Sequence, residues 1–132
     1  MADGASEPHG SVWWSELMTR DAEAAKAYYH DLLGWEFEVM PMSDGEYHVA
    51  MRGGKPVAGI MDMRGVEAMA QLPPHWFTYL AVADLDAALE QTRAQGGTIQ
   101  REPFEVPDTG RIAIVTDPAG AAVGLIAPVP MD

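Results

Sequence analysis

The chain has 132 residues, a formal net charge of −12 from 20 acidic and 8 basic side chains, and no cysteine. A chain of this length forms one domain whose core needs no cross-links. The charge argues against binding to nucleic acid or to an anionic membrane surface, and the lack of cysteine excludes disulfides and thiolate metal sites.

The first eleven residues, which begin MADGASEPHG, contain neither a basic segment nor an apolar run of the kind found in secretory signals. We interpret residues 1–11 as a disordered tail and assign no function to His9 within it. No stretch of the chain approaches the run of about 18 apolar residues that a membrane helix needs. Together with the absence of cysteine, this predicts a cytoplasmic protein.

From residue 12 onward the apolar pattern predicts a strand, a helix and three further strands. Thr19 or Asp21 can cap the start of the helix, and Gly34 can end it. The segments SDG and RGGK supply turns between the strands. The predicted elements are a strand at 12–19, a helix at 20–33, and strands at 35–40, 45–52 and 56–63.

After a connector that contains Pro73 and Pro74, the same order of elements returns. Asp84 can cap the second helix and Gly96 can end it. The predicted elements of this half are a strand at 75–82, a helix at 84–95, and strands at 98–106, 110–117 and 121–128.

The two halves also match residue by residue. VWWSELMTRD (12–21) aligns with HWFTYLAVAD (75–84), and VAGIM (57–61) aligns with AVGLI (122–126). An internal duplication at this spacing predicts two β-α-β-β-β units, 12–63 and 75–128, within one α+β domain over 12–128. We expect the units to form a curved mixed sheet with the helices on its outer face, leaving a concave face for a ligand.

Three motifs carry a family resemblance: TRDAEAAKAYYHDLLGWE (19–36), GGKPVAGIM (53–61) and VTDPAGAAVGLI (115–126). With the doubled unit, they make the chain similar to the vicinal oxygen chelate superfamily, which includes glyoxalases, bleomycin-resistance proteins and extradiol dioxygenases. The chain most resembles the glyoxalase-like hydroxylase branch, whose members commonly carry two such domains in tandem. The resemblance covers residues 12–128 and implies the fold, whereas one such fold serves many activities.

In metal-dependent members of that superfamily, four ligands come from the first and last strands of the two units. Transfer of those positions to this chain places them on Trp14, Phe77, Gly59 and Gly124. None of these side chains can bind a divalent ion, so the resemblance predicts no metal and no cofactor.

Strand alternation places neighbouring residues on opposite faces of a sheet. We therefore expect Trp14 to face the ligand and Trp13 to pack toward the helices, with Phe77 facing the ligand and Trp76 in the core. Glycines beside the aromatic rings would leave floor space for a flat apolar ligand. The predicted ligand-binding residues are Trp14, Glu16, Gly59, Phe77, Tyr79 and Gly124.

Glu16 shares the predicted face of Trp14, and Tyr79 is its equivalent in the repeat. A carboxylate in an apolar, aromatic-lined cavity would have a raised pKa and could act as a general base. The alternative is that Glu16 points into water or pairs with Arg20 or Lys26. Both interpretations stay open, and Glu16 is the candidate catalytic residue.

His48 lies two positions from Glu46 in a predicted strand, so the two side chains can point the same way. They could form half of a relocated metal site, although a histidine at the protein surface is the simpler interpretation.

These features predict metal-independent binding of a partly aromatic metabolite or antibiotic by a homodimer, with a small-molecule ligand as the partner. The alternative is a glyoxalase-like or dioxygenase-like enzyme, a lyase, isomerase or oxygenase with a non-standard or metal-free active site. A third possibility is an interaction module whose aromatic side chains only fill the core or a dimer seam.

Overall fold

The computed structural model describes residues 9–42, 45–64, 70–106 and 109–129. It divides into two compact units. The N-terminal unit is Trp14–Phe77, and the C-terminal unit is Thr78–Asp132 together with Met1–Trp13. Each unit has the predicted β-α-β-β-β order, which confirms the α+β class with two such units.

The N-terminal unit carries a four-stranded mixed sheet with one helix against it. Its elements are β1 (Val12–Thr19, whose first two residues belong to the other unit), α1 (Ala22–Leu33), β2 (Glu36–Met42), β3 (Gly45–Arg52) and β4 (Lys55–Asp62). The strand order is β2-β3-β4-β1. β1 pairs with β4 in parallel, and the other neighbours are antiparallel.

The C-terminal unit repeats this plan. Its elements are β5 (His75–Ala81, which begins in the other unit), α2 (Leu85–Ala94), β6 (Thr98–Val106), β7 (Gly110–Thr116) and β8 (Ala122–Pro128). The strand order is β5-β8-β7-β6, again with one parallel pair, β5 with β8.

Aspartates cap both helices, because a carboxylate at this position accepts a hydrogen bond from an otherwise unpaired backbone N–H. Of the two candidates for α1, Asp21 is the cap, and its Oδ1 accepts from the Ala24 N–H at 3.0 Å. Asp84 does the same for the Ala87 N–H at 3.0 Å. Within the described ranges, neither helix is long and apolar enough to cross a membrane.

Each helix covers one face of the sheet in its own unit. In the N-terminal unit, Leu17 of β1 and Ile60 of β4 form a buried cluster with Ala22 of α1. In the C-terminal unit, the corresponding cluster is Leu85, Leu89, Ala113, Val115 and Leu125. Because side chains alternate along a strand, the residues between these core positions lie on the face that points away from the helix, here called the distal face.

The prediction of a disordered tail over residues 1–11 includes three residues that are ordered. Residues 1–8 lie outside the described part of the chain, but His9, Gly10 and Ser11 are held by hydrogen bonds. The Gly10 N–H donates to the Ala81 carbonyl at 2.8 Å, and the Ala81 N–H donates to the Ser11 carbonyl at 2.9 Å. His9 Nδ1 accepts from the Ala83 N–H at 2.9 Å, so this histidine has a structural contact.

The prediction that Trp76 lies in the core is wrong. Its side chain is 42% exposed and its Nε1 donates to the Tyr29 hydroxyl at 3.2 Å. The Trp76 ring meets the rings of Tyr29 and Trp35 edge-on. Trp13, expected to pack toward the helices, is also 38% exposed. Both tryptophans have the strand parity of the helix-facing side, as predicted, but both remain partly exposed.

Candidate functional site

The distal face of the N-terminal unit brings three of the six predicted residues together. Glu16 of β1 pairs in register with Gly59 of β4, and Gly59 pairs with Val49 of β3, which pairs with Glu38 of β2. These four residues form one row across the sheet, here called the N-terminal row. Trp14 lies two residues before Glu16 on the same face.

A tyrosine that the sequence analysis did not single out completes this face. Tyr47 pairs with Met61 in the next row, and its hydroxyl accepts a hydrogen bond from Trp14 Nε1 at 2.8 Å. A Cβ added at Gly59 would overlap the hydroxyl and Cζ of Tyr47 and would lie 3.1 Å from Trp14 Nε1. The absence of a side chain at Gly59 is therefore what allows the Tyr47 hydroxyl to reach the indole.

This contact corrects the expectation that Gly59 leaves floor space for a ligand. The space above Gly59 is filled by the Tyr47 side chain. The face instead presents an indole and a phenol joined by a hydrogen bond, with both side chains partly exposed. Aromatic groups with a polar tip suit a ligand that has an apolar body and hydrogen-bonding substituents.

Glu16 is buried at 8% exposure, so the alternative that it points into water is wrong. Lys26, one of its two suggested partners, pairs with Glu23 at 2.9 Å. The other, Arg20, donates to the carbonyls of Leu72 at 2.6 Å and Ala70 at 3.1 Å, and the pairing of Glu16 with Arg20 or Lys26 stays a prediction. A buried carboxylate on the distal face is consistent with a role in binding or proton transfer.

The distal face of the C-terminal unit carries the equivalent row. Tyr79 of β5 pairs with Gly124 of β8, Gly124 pairs with Ile114 of β7, and Ile114 pairs with Arg101 of β6. We call these residues the C-terminal row. Tyr79 is buried at 9% exposure, and Gly124 is also buried.

A second, apolar row lies beside the C-terminal row. It consists of Ala81, Ile126, Ile112 and Phe104. The guanidinium carbon of Arg101 lies 3.7 Å from the centroid of the Phe104 ring. Stacking of this kind holds a guanidinium in a defined orientation.

The sixth predicted residue, Phe77, belongs to the N-terminal unit, where it is 7% exposed and its ring meets that of His75 edge-on.

His48 is buried at 3% exposure, so the prediction of a surface histidine is wrong. It pairs in register with Ile60, which places it on the helix-facing side of the sheet, away from Glu16. The side chain of Glu46 lies outside the described part of the structure. Among the described residues, no group of three or more His, Asp or Glu side chains could hold a metal ion.

Asp62 lies at the end of β4 and is bound by the guanidinium of Arg64, whose Nε lies 3.0 Å from Oδ1 and 3.1 Å from Oδ2. This hydrogen bond lowers the pKa of Asp62 below its usual value, and the nearby His48 contributes in the same direction. A lowered folded-state pKa stabilises the fold above the unfolded-state pKa, and that contribution disappears as the pH falls through the folded value.

We therefore expect Asp62→Asn to lower the Tm at neutral pH, with a difference from the wild type that shrinks below about pH 4. Thermal unfolding of both proteins between pH 7 and pH 2 measures this, with Asp31→Asn, an exposed aspartate in α1, as the control. A Tm difference that stays constant down to pH 2 would contradict the assignment.

The C-terminal unit also contains an open cavity of about 450 Å³. Its lining includes Val115 and Leu125 from the helix-facing side of the sheet and Ala87 and Gln91 of α2. None of the six predicted residues lines it, so this cavity is separate from the distal face.

Comparison with known proteins decides the family. The model of the glyoxalase/bleomycin resistance protein/dioxygenase superfamily matches residues 12–125. The chain belongs to this superfamily. Glyoxalase-superfamily relatives include the protein named "Putative glyoxylase CFP32" of Mycobacterium tuberculosis, 40% identical over 118 residues, and the anthracycline biosynthesis protein DnrV of Streptomyces peucetius, 34% identical over 120 residues.

These alignments cover 88% and 89% of the present chain but only 45% and 41% of the two relatives. The chain thus spans less than half the length of the curated relatives that it matches.

Solved structures show the same fold. Methylmalonyl-CoA epimerase from Mycobacterium tuberculosis matches with a TM-score of 0.64 and 20% identity, covering 92% of this chain and 89% of the epimerase. Hypothetical protein BH1468 from Bacillus halodurans matches with a TM-score of 0.72 and 9% identity, covering 93% and 97% of the two chains. At these identities the similarity establishes the superfamily fold alone.

Proposed function

We propose that this superfamily member binds a small, partly aromatic molecule without a metal ion, using the distal faces of its sheets. The observation that carries the proposal is the Trp14–Tyr47 hydrogen bond above Gly59. This hydrogen bond fixes two aromatic side chains on the face that is turned away from the helix. The opposite face of the same strands packs in the core and stabilises the fold.

The positions at which the superfamily resemblance places metal ligands support this proposal. Trp14, Gly59, Phe77 and Gly124 supply no imidazole, carboxylate or thiolate, and the residues of this chain therefore do not fit a metal of the usual kind. In the proposed role, Trp14, Glu16, Gly59, Phe77, Tyr79 and Gly124 form the binding faces, and Tyr47 joins them. The protein would act as a cytoplasmic homodimer.

The names of the relatives are compatible with such a ligand. One matched relative is named for anthracycline biosynthesis, so its name refers to the metabolism of a small molecule. An indole and a phenol attract planar rings by burial and offset stacking, and the Tyr47 hydroxyl adds a polar contact.

Tryptophan fluorescence tests the proposal directly. The wild type, Trp14→Phe and Trp76→Phe would be titrated with a panel of aromatic metabolites and of divalent metals, with metal content measured in parallel. We expect an aromatic compound to quench the wild type and Trp14→Phe to weaken its binding about five- to tenfold, because the indole surface and its hydrogen bond are lost.

Trp76→Phe is the matched control, since Trp76 is a partly exposed tryptophan of the same unit on the helix-facing side. It should retain the wild-type affinity. Equal affinity of Trp14→Phe and the wild type for every compound would contradict the binding face. Stoichiometric metal that a chelator removes, with no quenching by organic compounds, would favour a metal enzyme instead.

The buried Glu16 favours a second candidate, a metal-free enzyme in which this carboxylate removes a proton from the bound molecule. Neighbours of the same fold include methylmalonyl-CoA epimerases, which are enzymes. The same titration separates the two functions when each compound that binds is followed by NMR. Conversion of a compound by the wild type but not by Glu16→Gln would establish the enzyme, whereas binding without conversion supports the binding protein.

A further inference from the structure

The repeat allows the two distal faces to be compared position by position. Glu16, Gly59, Val49 and Glu38 of the N-terminal row correspond to Tyr79, Gly124, Ile114 and Arg101 of the C-terminal row. Glycine and a β-branched residue occupy the two middle positions of both rows. The outer position carries a carboxylate in the N-terminal unit and a guanidinium in the C-terminal unit, so the duplicated faces differ in charge.

Arg101 is one of the eight basic residues of this acidic chain. Four of the others form ion pairs with carboxylates: Lys26, Arg64, Arg93 and Arg111. Within the described ranges Arg101, like Arg52 and Lys55, forms no ion pair, and it differs from those two in lying against the Phe104 ring. A cation in this environment is available to an anionic ligand.

The geometry directs that cation to the ligand-binding face. Arg101 lies in the same register row as Tyr79 and Gly124, two of the residues in the proposed function. Neighbouring strands are about 4.8 Å apart, so β8 and β6 are separated by about 10 Å, which a molecule of two fused rings with a carboxylate or phosphate substituent can span. Phe104, whose side chain is partly exposed, supplies an apolar surface on which such rings can lie.

Stacking on Phe104 also prepares the guanidinium for recognition. The ring covers one face of the guanidinium and leaves the N–H groups at its edge uncovered. These N–H groups form a planar fork that matches a carboxylate or a phosphate. We infer that Arg101 and Phe104 form an oxyanion-binding subsite for a ligand with a planar aromatic body and a carboxylate or phosphate group. This inference rests on the proposed function, because it names the ligand class of that face.

Matched probes test the inference. Naphthalene-2-carboxylate and the uncharged naphthalene-2-methanol have the same ring system, and 2-naphthyl phosphate distinguishes a phosphate from a carboxylate. Affinities would be measured by NMR titration of the wild type, Arg101→Gln, Arg101→Lys and Arg52→Gln. The last variant removes one positive charge from the N-terminal unit, at the exposed end of β3.

We expect the wild type to bind one of the anionic probes about tenfold more tightly than the alcohol, and more weakly as salt is added. Arg101→Gln should abolish this preference while leaving the affinity for the alcohol unchanged. Arg101→Lys should keep part of the preference, since the charge remains and the planar fork is lost. Arg52→Gln should behave as the wild type, and the Arg101 Nε–H signal should shift only with the anions.

An anion preference that survives in Arg101→Gln would overturn the inference and leave the proposed function intact. Equal binding of all three probes by the wild type would do the same. If no naphthalene probe bound the wild type and the aromatic panel also failed to quench its fluorescence, the proposed function itself would fail, and the subsite with it.

Discussion

Replacing Gly59 with alanine is expected to expel Tyr47 from its place above β4 and to lower the free energy of unfolding by about 1–3 kcal/mol. The new methyl group would overlap the Tyr47 hydroxyl and Cζ, so the ring has to turn away. The hydrogen bond from Trp14 is then lost, and the aromatic pair no longer forms the proposed binding face. Urea unfolding measures the stability, and fluorescence titration with a compound that binds the wild type measures the loss of affinity.

The double mutant with Tyr47→Ala identifies the cause of this effect. When the phenol is already absent, the alanine at position 59 has room, and its added cost should be about 0.5 kcal/mol or less. If Gly59→Ala costs the same in both backgrounds, the destabilisation comes from the backbone of β4 and not from Tyr47. A Gly59→Ala protein with unchanged stability and affinity would refute the close contact altogether.

Replacing Ile60, the next residue along the chain, should act on the fold and leave the binding face unaltered. Ile60 has 0% exposure and packs with Leu17 and Ala22 under α1. Ile60→Ala is expected to lower the free energy of unfolding by about 2–5 kcal/mol, because the lost methylene and methyl groups leave a cavity. This is a large part of the total stability of an ordinary domain.

Val57→Ala, in the same strand at a side chain that is 37% exposed, is the matched control and should cost under about 1 kcal/mol. Urea unfolding of the three proteins gives the comparison. At a temperature where Ile60→Ala remains folded, its ligand affinity should lie within about twofold of the wild type. A strongly altered affinity would show that the two faces of β4 are not independent.

The contrast between these neighbouring residues follows from what sequence can and cannot predict. Strand alternation and the internal repeat place Gly59 and Ile60 on opposite faces, and the aspartate caps set the helix boundaries close to those observed. These features depend on local chemistry, so they are visible in the chain itself.

The contribution of Tyr47 depends on register, which the sequence does not fix. Tyr47 reaches Trp14 only because β3 and β4 pair so that its ring lies beside Gly59. Arg101 is a similar case: simple alternation would put it on the same face as Ile99, a residue that packs in the core. A register shift in β6 between these two residues places Arg101 opposite Ile114 on the distal face instead.

The outer positions of the two rows, Glu38 and Arg101, lie on the edge strands β2 and β6, where both side chains are exposed. Substitution there disturbs no core packing, and exchange of a carboxylate for a guanidinium reverses the sign of the charge on that face. The charge of each distal face is therefore set at the sheet edge, independently of the residues that stabilise the fold. In this chain, the edge strands are consequently where the charge of each distal face can change without a cost to the fold.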